Sequence, residues 1–477
     1  MEGNQKIILA SLIFFKLILV GIGFWSNRFA KKDESSFLIG GRSLGPWVAG
    51  LSYAATSSSA WVLLGFSGFV FSVGLSALWM LPGIWVGYII VWIWLGHRLR
   101  SESEEKSLVT AIDFISADTN KLEQRRIGVV AGLMIIFCFS FYVAAQLQAS
   151  GAAMMSFFDL NMTKSIFIGA SVILLYSLLG GFWAVSVTDM IQGLVMATIA
   201  IVVPTTLVWK AGGFASMLNS LSNTDPAHLD FFSGRSGINA VLASIGAASI
   251  GIGTAGQPQL LSRVMAVKGE TERRRAFVIS LVWAIIVFSA MAIVGLASRA
   301  LLLNPENPET LLLFVVNTQF SPILAGIALA ALLSAVMSTV DSLLLTAAAA
   351  ASHDIGLSSF KPGREVLIAR IVMTILCLLS VMLALGVPAT IFERVLFAWT
   401  ALGAAFGPTI VVRVLGFKPS AKAILLAMIL GFSLAICFSE LWESGPGKIY
   451  ERILPWVPAL TILLLDPFVS KKARNEN

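Results

Sequence analysis

Charge is the scarcest property of this 477-residue chain. Only 12% of its residues are Asp, Glu, Lys or Arg, about half the share of a soluble protein. Hydrophobic residues make up 57%. The two figures exclude an ordinary soluble domain and imply an integral membrane protein in a lipid bilayer. Histidine and cysteine are scarce too, with three of each. His97, His228 and His353 fall in or near loops with no nucleophile–base spacing, so no enzymatic chemistry is expected. Cys138, Cys377 and Cys437 lie inside apolar runs without disulfide or metal-ligand spacing, and read as buried thiols. Long polar segments are missing as well. The largest, about 97–126 and 210–236, leave no room for a second domain, the first reading as short surface helices, and no soluble module is expected after the last apolar run. The net charge of +7 does not point to nucleic acid, because the basic residues sit in short loops between apolar runs.

What fills the chain instead is a series of apolar runs of membrane-crossing length, roughly 17–25 residues for a bilayer core. Thirteen are expected, near 7–25, 45–73, 77–96, 127–152, 163–183, 188–209, 237–262, 277–299, 322–351, 366–386, 390–413, 422–441 and 453–469. The first is not a signal peptide: Glu2 weakens the positive start, the run is long, and Arg28, Lys31 and Lys32 follow it. Alternate loops differ in basic content by roughly threefold, the rich set including Arg98, Arg100, Arg125, Arg126, Arg263, Arg273, Arg274 and Arg275. That bias places the rich set in the cytoplasm of an inner (plasma) membrane protein. The N-terminus is then outside and the C-terminus inside.

Residues 334–345, SAVMSTVDSLLL, break the apolar pattern. On a helix, Ser334, Ser338, Asp341 and Ser342 share one face and Thr339 borders it. An ionisable group at membrane depth is costly and marks ion or substrate paths. Hydroxyl and carboxylate oxygens suit hard cations. The same face also suits polar glue between helices.

Two spans carry helix-breaking chemistry: AATSSSAW at 54–61 and GIGTAGQP at 251–258. Each alone reads equally as a kink. Counted from the second span, however, they open two consecutive sets of five spans. Five is odd, so the second set is inverted. Paired interrupted helices in inverted halves mark the midplane site of a secondary transporter. The expected layout is one transmembrane domain. It has a peripheral helix at 7–26, a first repeat at 45–209, a second at 237–413 and peripheral helices at 422–469.

The segments 37–61, 180–193, 253–266, 335–345 and 397–408 resemble the sodium/solute symporter family, closest to its sodium/proline branch. The resemblance implies an all-α, leucine-transporter fold with a 5+5 inverted repeat, alternating access, and sodium as coupling ion with no other cofactor. It implies one sodium held by carbonyls of Ala55, Ser58 and Ala335 and hydroxyls of Ser338 and Thr339. It also implies a second sodium between Asp189 and the helix bearing Ser338, Asp341 and Ser342. Asp189 reads equally as a helix N-cap. One departure stands out: Ser57 occupies a position where the proline branch usually carries an aspartate.

By the same resemblance the solute sits between the two breaks, against Ser57, Trp61, Tyr142, Gln146, Thr254 and Gln257. Aromatic faces suit a small ring or aliphatic stem. Ile250 and Thr254 replace two aromatics of the branch. The first expectation is a sodium-coupled symporter for proline or a related amino acid. The alternatives are a monocarboxylate, sugar or other solute, proton coupling, or a transporter-like sensor. A channel fits two broken inverted helices poorly. No obligatory protein partner is evident.

Overall fold

The computed structural model describes residues 3–27, 38–178, 181–357, 364–441 and 449–475. The loop charges Arg28, Lys31, Lys32, Lys361 and Lys448 lie outside them, as do Phe37 and Gly180 of the family-like segments. Every named element is a helix, and one isolated parallel bridge, Leu44 with Val267, is the β contact seen among the described residues.

The α-helices run in order α1 Gly3–Asn27, α2 Pro46–Ala60, α3 Ser67–Val73, α4 Met80–Ile89, α5 Gly96–Glu105, α6 Ala111–Ser116 and α7 Lys121–Phe158. There follow α8 Met162–Ser177, α9 Phe182–Lys210, α10 Phe214–Thr224, α11 Gly237–Ala248, α12 Pro258–Met265 and α13 Glu270–Ala300. The last are α14 Leu311–Gln319, α15 Pro322–Ala349, α16 Glu365–Gly386, α17 Ile391–Val414, α18 Ala421–Leu441, α19 Ile449–Ile453 and α20 Trp456–Asn475. Among the described residues, nine helical stretches are long and apolar enough to cross a membrane by length and composition. This measure does not confirm the thirteen expected, although α1 lies over the first expected span and α20 over most of the last. One of the nine, Pro46–Glu105, contains both the second and third expected spans. The fifth expected span overlaps a helix of 16 residues, Met162–Ser177.

Local chemistry explains the boundaries. Pro46, Pro258 and Pro322 each sit in the first turn of a helix, where a missing amide costs nothing. Thr110, Asn120 and Thr390 each open a helix with a capping box whose N3 partner is Asp113, Glu123 or Glu393. The first broken helix is α2, a π-helical turn at Trp61–Phe66, and α3. The second is α11, a 3-10 stretch at Ser249–Gly256, and α12.

Packing places these breaks at the centre. Helix α2 packs against α9, α13 and α15, while the 3-10 stretch packs against α4 and α17. Small residues make the second contact possible. A methyl on Gly83 would strike the backbone of Ala248, and one on Gly251 would strike Gly83. Near one end the broken helices are tied together: Leu44 N donates to Ala266 O at 3.1 Å, and Lys268 N to Leu44 O at 3.1 Å. The loop containing α6 was expected at the surface. Instead Ala111, Ile112, Phe114 and Ile115 are buried, because the capping box turns the apolar face of this short helix inward.

Candidate functional site

The first break is confined to one residue. Ser59 has φ 51° and ψ −173° inside an otherwise helical run, whereas the sequence pattern spreads the interruption over residues 54–61. A non-glycine residue in this region is strained and needs surrounding contacts to hold it. Those contacts are present. The Ala60 amide, which in a regular helix would donate to the Thr56 carbonyl, donates to Gln146 Oε1 at 3.0 Å. The Trp61 amide donates to Ser59 Oγ at 3.0 Å. The Thr56 carbonyl accepts instead from Thr339 Oγ1 at 3.3 Å.

The hydroxyl-rich face of α15 therefore meets the break. Ser338, Thr339, Ala55, Ser58 and Ala335 are all fully buried. Ser338 Oγ lies 3.2 Å from Ala335 O, and Ser58 Oγ donates to Ala54 O at 2.8 Å. Two hydroxyls beside backbone carbonyls, with no carboxylate among them, form a donor set of hard neutral oxygens. Such a set fits a monovalent cation that must also be released.

A second polar cluster lies one turn along α15. Asp189 accepts from Ser52 Oγ at 2.8 Å and from Thr56 Oγ1 at 3.4 Å. Thr56 Oγ1 is also 3.1 Å from Ser342 Oγ. Between Asp189 and Ser342 sits a guanidinium. Arg263 Nη2 is 3.4 Å from Asp189 Oδ2 and donates to Ser342 Oγ. Its other nitrogens donate to Gln259 O at 2.7 Å, Ser262 Oγ at 3.3 Å and Ser52 Oγ at 3.3 Å. The plane lies over the Phe182 ring, 5.0 Å from its centre. Arg263 and Asp189 are both wholly buried. The charge pattern assigns Arg263 to a cytoplasmic loop. The structure corrects this, because α12 continues past the apolar run and carries the residue into the protein. Asp341 is directed elsewhere and accepts from Ser177 Oγ at the end of α8. The residues expected around a second sodium thus divide into two groups.

A small cavity opens between the two breaks. Ser57, Trp61, Tyr142 and Thr254 line it, together with Tyr88, Phe288, Trp399, Ile84, Ile250, Gly251, Val395 and Leu396. None of these side chains is charged. Ser57 bonds Tyr88 OH and Ala54 O. Gln146 and Gln257 are not lining residues. Gln146 holds the first break, and Gln257 Nε2 ties Gly253 O at 3.0 Å to Trp399 O at 2.9 Å across the second.

Sequence reasoning missed Arg263, Ser52 and Thr56 in the polar cluster and Tyr88, Phe288 and Trp399 in the cavity. Arg263 had a signal: Gln257-Pro258 starts a new helix, and five further residues complete more than one turn before the chain can reach a loop. The three aromatics had none, since an aromatic in an apolar span is ordinarily packing.

The profile of the Sodium:solute symporter family matches residues 37–431. Several curated proteins are similar along nearly the whole chain. The high-affinity proline transporter PutP of Bacillus subtilis is 30% identical over 444 residues, covering 89% of this chain and 92% of that protein. The osmoregulated proline transporter OpuE of Bacillus subtilis is 29% identical over 477 residues, covering 98% and 95%. The sodium/proline symporter of Escherichia coli is 29% identical over 459 residues, covering 92% and 89%. Among solved structures, a Na+-coupled sialic acid symporter in a substrate-bound outward-open state superposes with TM-score 0.79 at 16% identity, over 97% of each chain. MhsT in complex with L-phenylalanine gives 0.53 at 16% identity, over 88% of this chain and 97% of that one. At such identities the likeness carries the fold, which is the all-helical leucine-transporter fold.

Proposed function

The chain belongs to the sodium:solute symporter family, and from that premise we propose that it couples the inward sodium gradient to uptake of a small zwitterionic amino acid, proline first. The multi-pass helical chain is a transporter rather than an enzyme. Residues 45–209 and 237–413 form its inverted halves. The N-terminus is outside and the C-terminus cytoplasmic, following the basic loops.

The observation that carries this reading is the Thr339–Thr56 contact. The break at Ser59 frees a backbone carbonyl that a hydroxyl of α15 meets. Sodium coordinated there by Ala55, Ser58 and Ala335 carbonyls and by Ser338 and Thr339 would link the two inverted halves. Binding the ion would then bias which half-helix contacts persist. Solute occupies the adjoining cavity. Trp61, Tyr88, Tyr142, Phe288 and Trp399 offer ring faces to an apolar ring. With no cationic side chain in the lining, the carboxylate of the solute is held by amides exposed at the breaks or by the sodium itself.

Arg263 supports a single coupling sodium. Its guanidinium fills the space between Asp189 and Ser342, so the charge of Asp189 already has a cation. The test is uptake of labelled proline by proteoliposomes. Accumulation should require an inward sodium gradient and ignore a pH gradient. Uptake that follows pH and not sodium would replace this reading with proton coupling. Sodium-driven uptake of another solute class alone would replace proline.

A further inference from the structure

Helix α6 is fastened by the same two residues that cap it. Thr110 Oγ1 accepts from the Asp113 amide at 3.0 Å, and Asp113 Oδ2 accepts from the Val109 and Thr110 amides at 2.9 and 3.2 Å. Both side chains also reach across to the end of α15. The Thr110 hydroxyl donates to Asp354 Oδ1 at 2.7 Å. His353 Nε2 lies 3.0 and 3.1 Å from the two Asp113 oxygens. His353 and Asp354 belong to a π-helical turn, Ala350–Asp354, that follows α15 directly. It sets two successive polar side chains against one short helix.

The turn is firmly seated on its other side. A methyl on Gly128 of α7 would collide with the Asp354 backbone, and one on Gly132 would come within 2.7 Å of Ile355. Helix α6 is packed on α7, α17 and α12, with the Arg413 guanidinium over its Phe114 ring at 5.1 Å, and meets the turn through these polar bonds. It covers a second small cavity, whose walls include Thr110, Ile112, Phe182, Ser262, Thr346 and Asp354. This cavity adjoins the Arg263 cluster: Ser262 accepts from Arg263, Phe182 lies under its guanidinium, and Thr346 Oγ1 donates to Ser342 O at 2.7 Å. It lies on the side assigned to the cytoplasm, where sodium and solute must leave.

We infer that His353–Asp113 and Thr110–Asp354 form a clasp that holds α6 shut over the release vestibule and opens in each transport cycle. The inference rests on the symporter reading for what the vestibule releases. The energetics suit a gate. The Asp113 and His353 side chains are 26% and 28% exposed, and a pair at the edge of water is individually weak, hence reversible. Burial pushes the Asp113 carboxyl up, but the His353 hydrogen bond and charge and the two amides outweigh it and hold it below the usual carboxylate range. The carboxylate is thus ionised and available to the clasp. The small apolar face of α6 supplies the rest of the seal, with Ile112 and Ile115 buried beneath it.

The test reads accessibility, independently of which solute is carried. A reporter cysteine replaces Thr346 in a Cys437→Ser background, since Cys138 and Cys377 are buried. Inside-out vesicles are labelled with a membrane-impermeant maleimide. His353→Ala and, separately, Thr110→Val should each speed labelling by about threefold or more, a shift of the open population. His353→Gln keeps a donor for Asp113 and should label near the parent rate. Unchanged rates in both opening variants, or a His353→Gln rate equal to that of His353→Ala, would overturn the clasp. Thr110→Val serves if His353→Ala does not accumulate as folded protein. If the parent shows no sodium-driven uptake, the symporter reading fails, while the labelling rates still decide the clasp.

Discussion

Arg263 and Asp189 face each other without contact with solvent, Nη2 and Oδ2 being 3.4 Å apart, in a cluster closed by Ser52, Thr56 and Ser342. A lone charge at this depth would be costly, and each member of the pair lowers the cost of the other. The pair also occupies the region where the family resemblance suggests a second sodium. The cluster therefore holds a cation that is part of the chain.

Removing that cation should expose the anion. Arg263→Met leaves Asp189 buried and uncompensated, a change that costs about 3–5 kcal/mol when one partner of a buried pair is lost. Sodium ions then become the available replacement. The purified variant should unfold at a lower temperature than the parent in choline chloride and recover more of the loss in sodium chloride than the parent gains. Arg263→Met with Asp189→Asn should be more stable than Arg263→Met alone and should lose the extra sodium response. An equal sodium response in all three proteins would show that the guanidinium does not stand in for an ion.

The site at the first break makes a separate prediction. Ser338→Ala with Thr339→Ala removes two hydroxyls but no charge, and the Thr56 carbonyl loses its contact with Thr339. The sodium concentration for half-maximal uptake should rise tenfold or more, about 1.4 kcal/mol. Sodium titration of uptake in proteoliposomes measures it directly. An unchanged midpoint would remove these hydroxyls from the ion site.

Much of this arrangement is legible in the sequence because its signals are local. Proline at residue 258, glycine at 251 and 253, and four successive hydroxyl residues at 56–59 mark the breaks without reference to the fold. The polar face of 334–342 follows from helical period alone. What sequence could not supply is which polar groups meet. Gln146 and Gln257 read as solute ligands, yet each holds a break, because a freed backbone amide or carbonyl competes for a nearby amide side chain. Asp341 and Ser342 are neighbours in the chain but diverge by about 100° around a helix, so one meets Ser177 and the other Arg263. Arg263 itself is grouped with loop charges by position, and its place on α12 against Asp189 comes only from the fold.

The cavity predicts how solute size is controlled. Ile250 lines it, and its carbonyl accepts from Trp399 Nε1 at 3.0 Å, so the wall position is fixed by backbone. A larger side chain there should fill space rather than move the wall. Ile250→Trp should therefore retain proline affinity to within about tenfold, or 1.4 kcal/mol, while inhibition of proline uptake by larger amino acids is lost. Competition assays with a series of side-chain sizes measure the difference. Equal loss of all solutes would instead place Ile250 among residues needed for any binding.

Asp341 separates ion binding from coupling. Its carboxylate bonds Ser177 on α8, whereas the hydroxyls that meet the first break, Ser338 and Thr339, precede it on α15. Asp341→Asn keeps an acceptor oxygen for Ser177 and deletes the charge. Folded protein should reach the membrane at near-parent abundance, and the sodium midpoint should move less than in the Ser338/Thr339 double variant. Sodium-driven accumulation should fall more than either, because an amide cannot sustain the same charge-assisted bond between α8 and α15 as the halves rearrange. Parallel measurement of abundance, sodium midpoint and steady-state accumulation distinguishes the roles. Loss of folded protein would make Asp341 a packing residue, and a shifted midpoint equal to that of the double variant would make it an ion ligand.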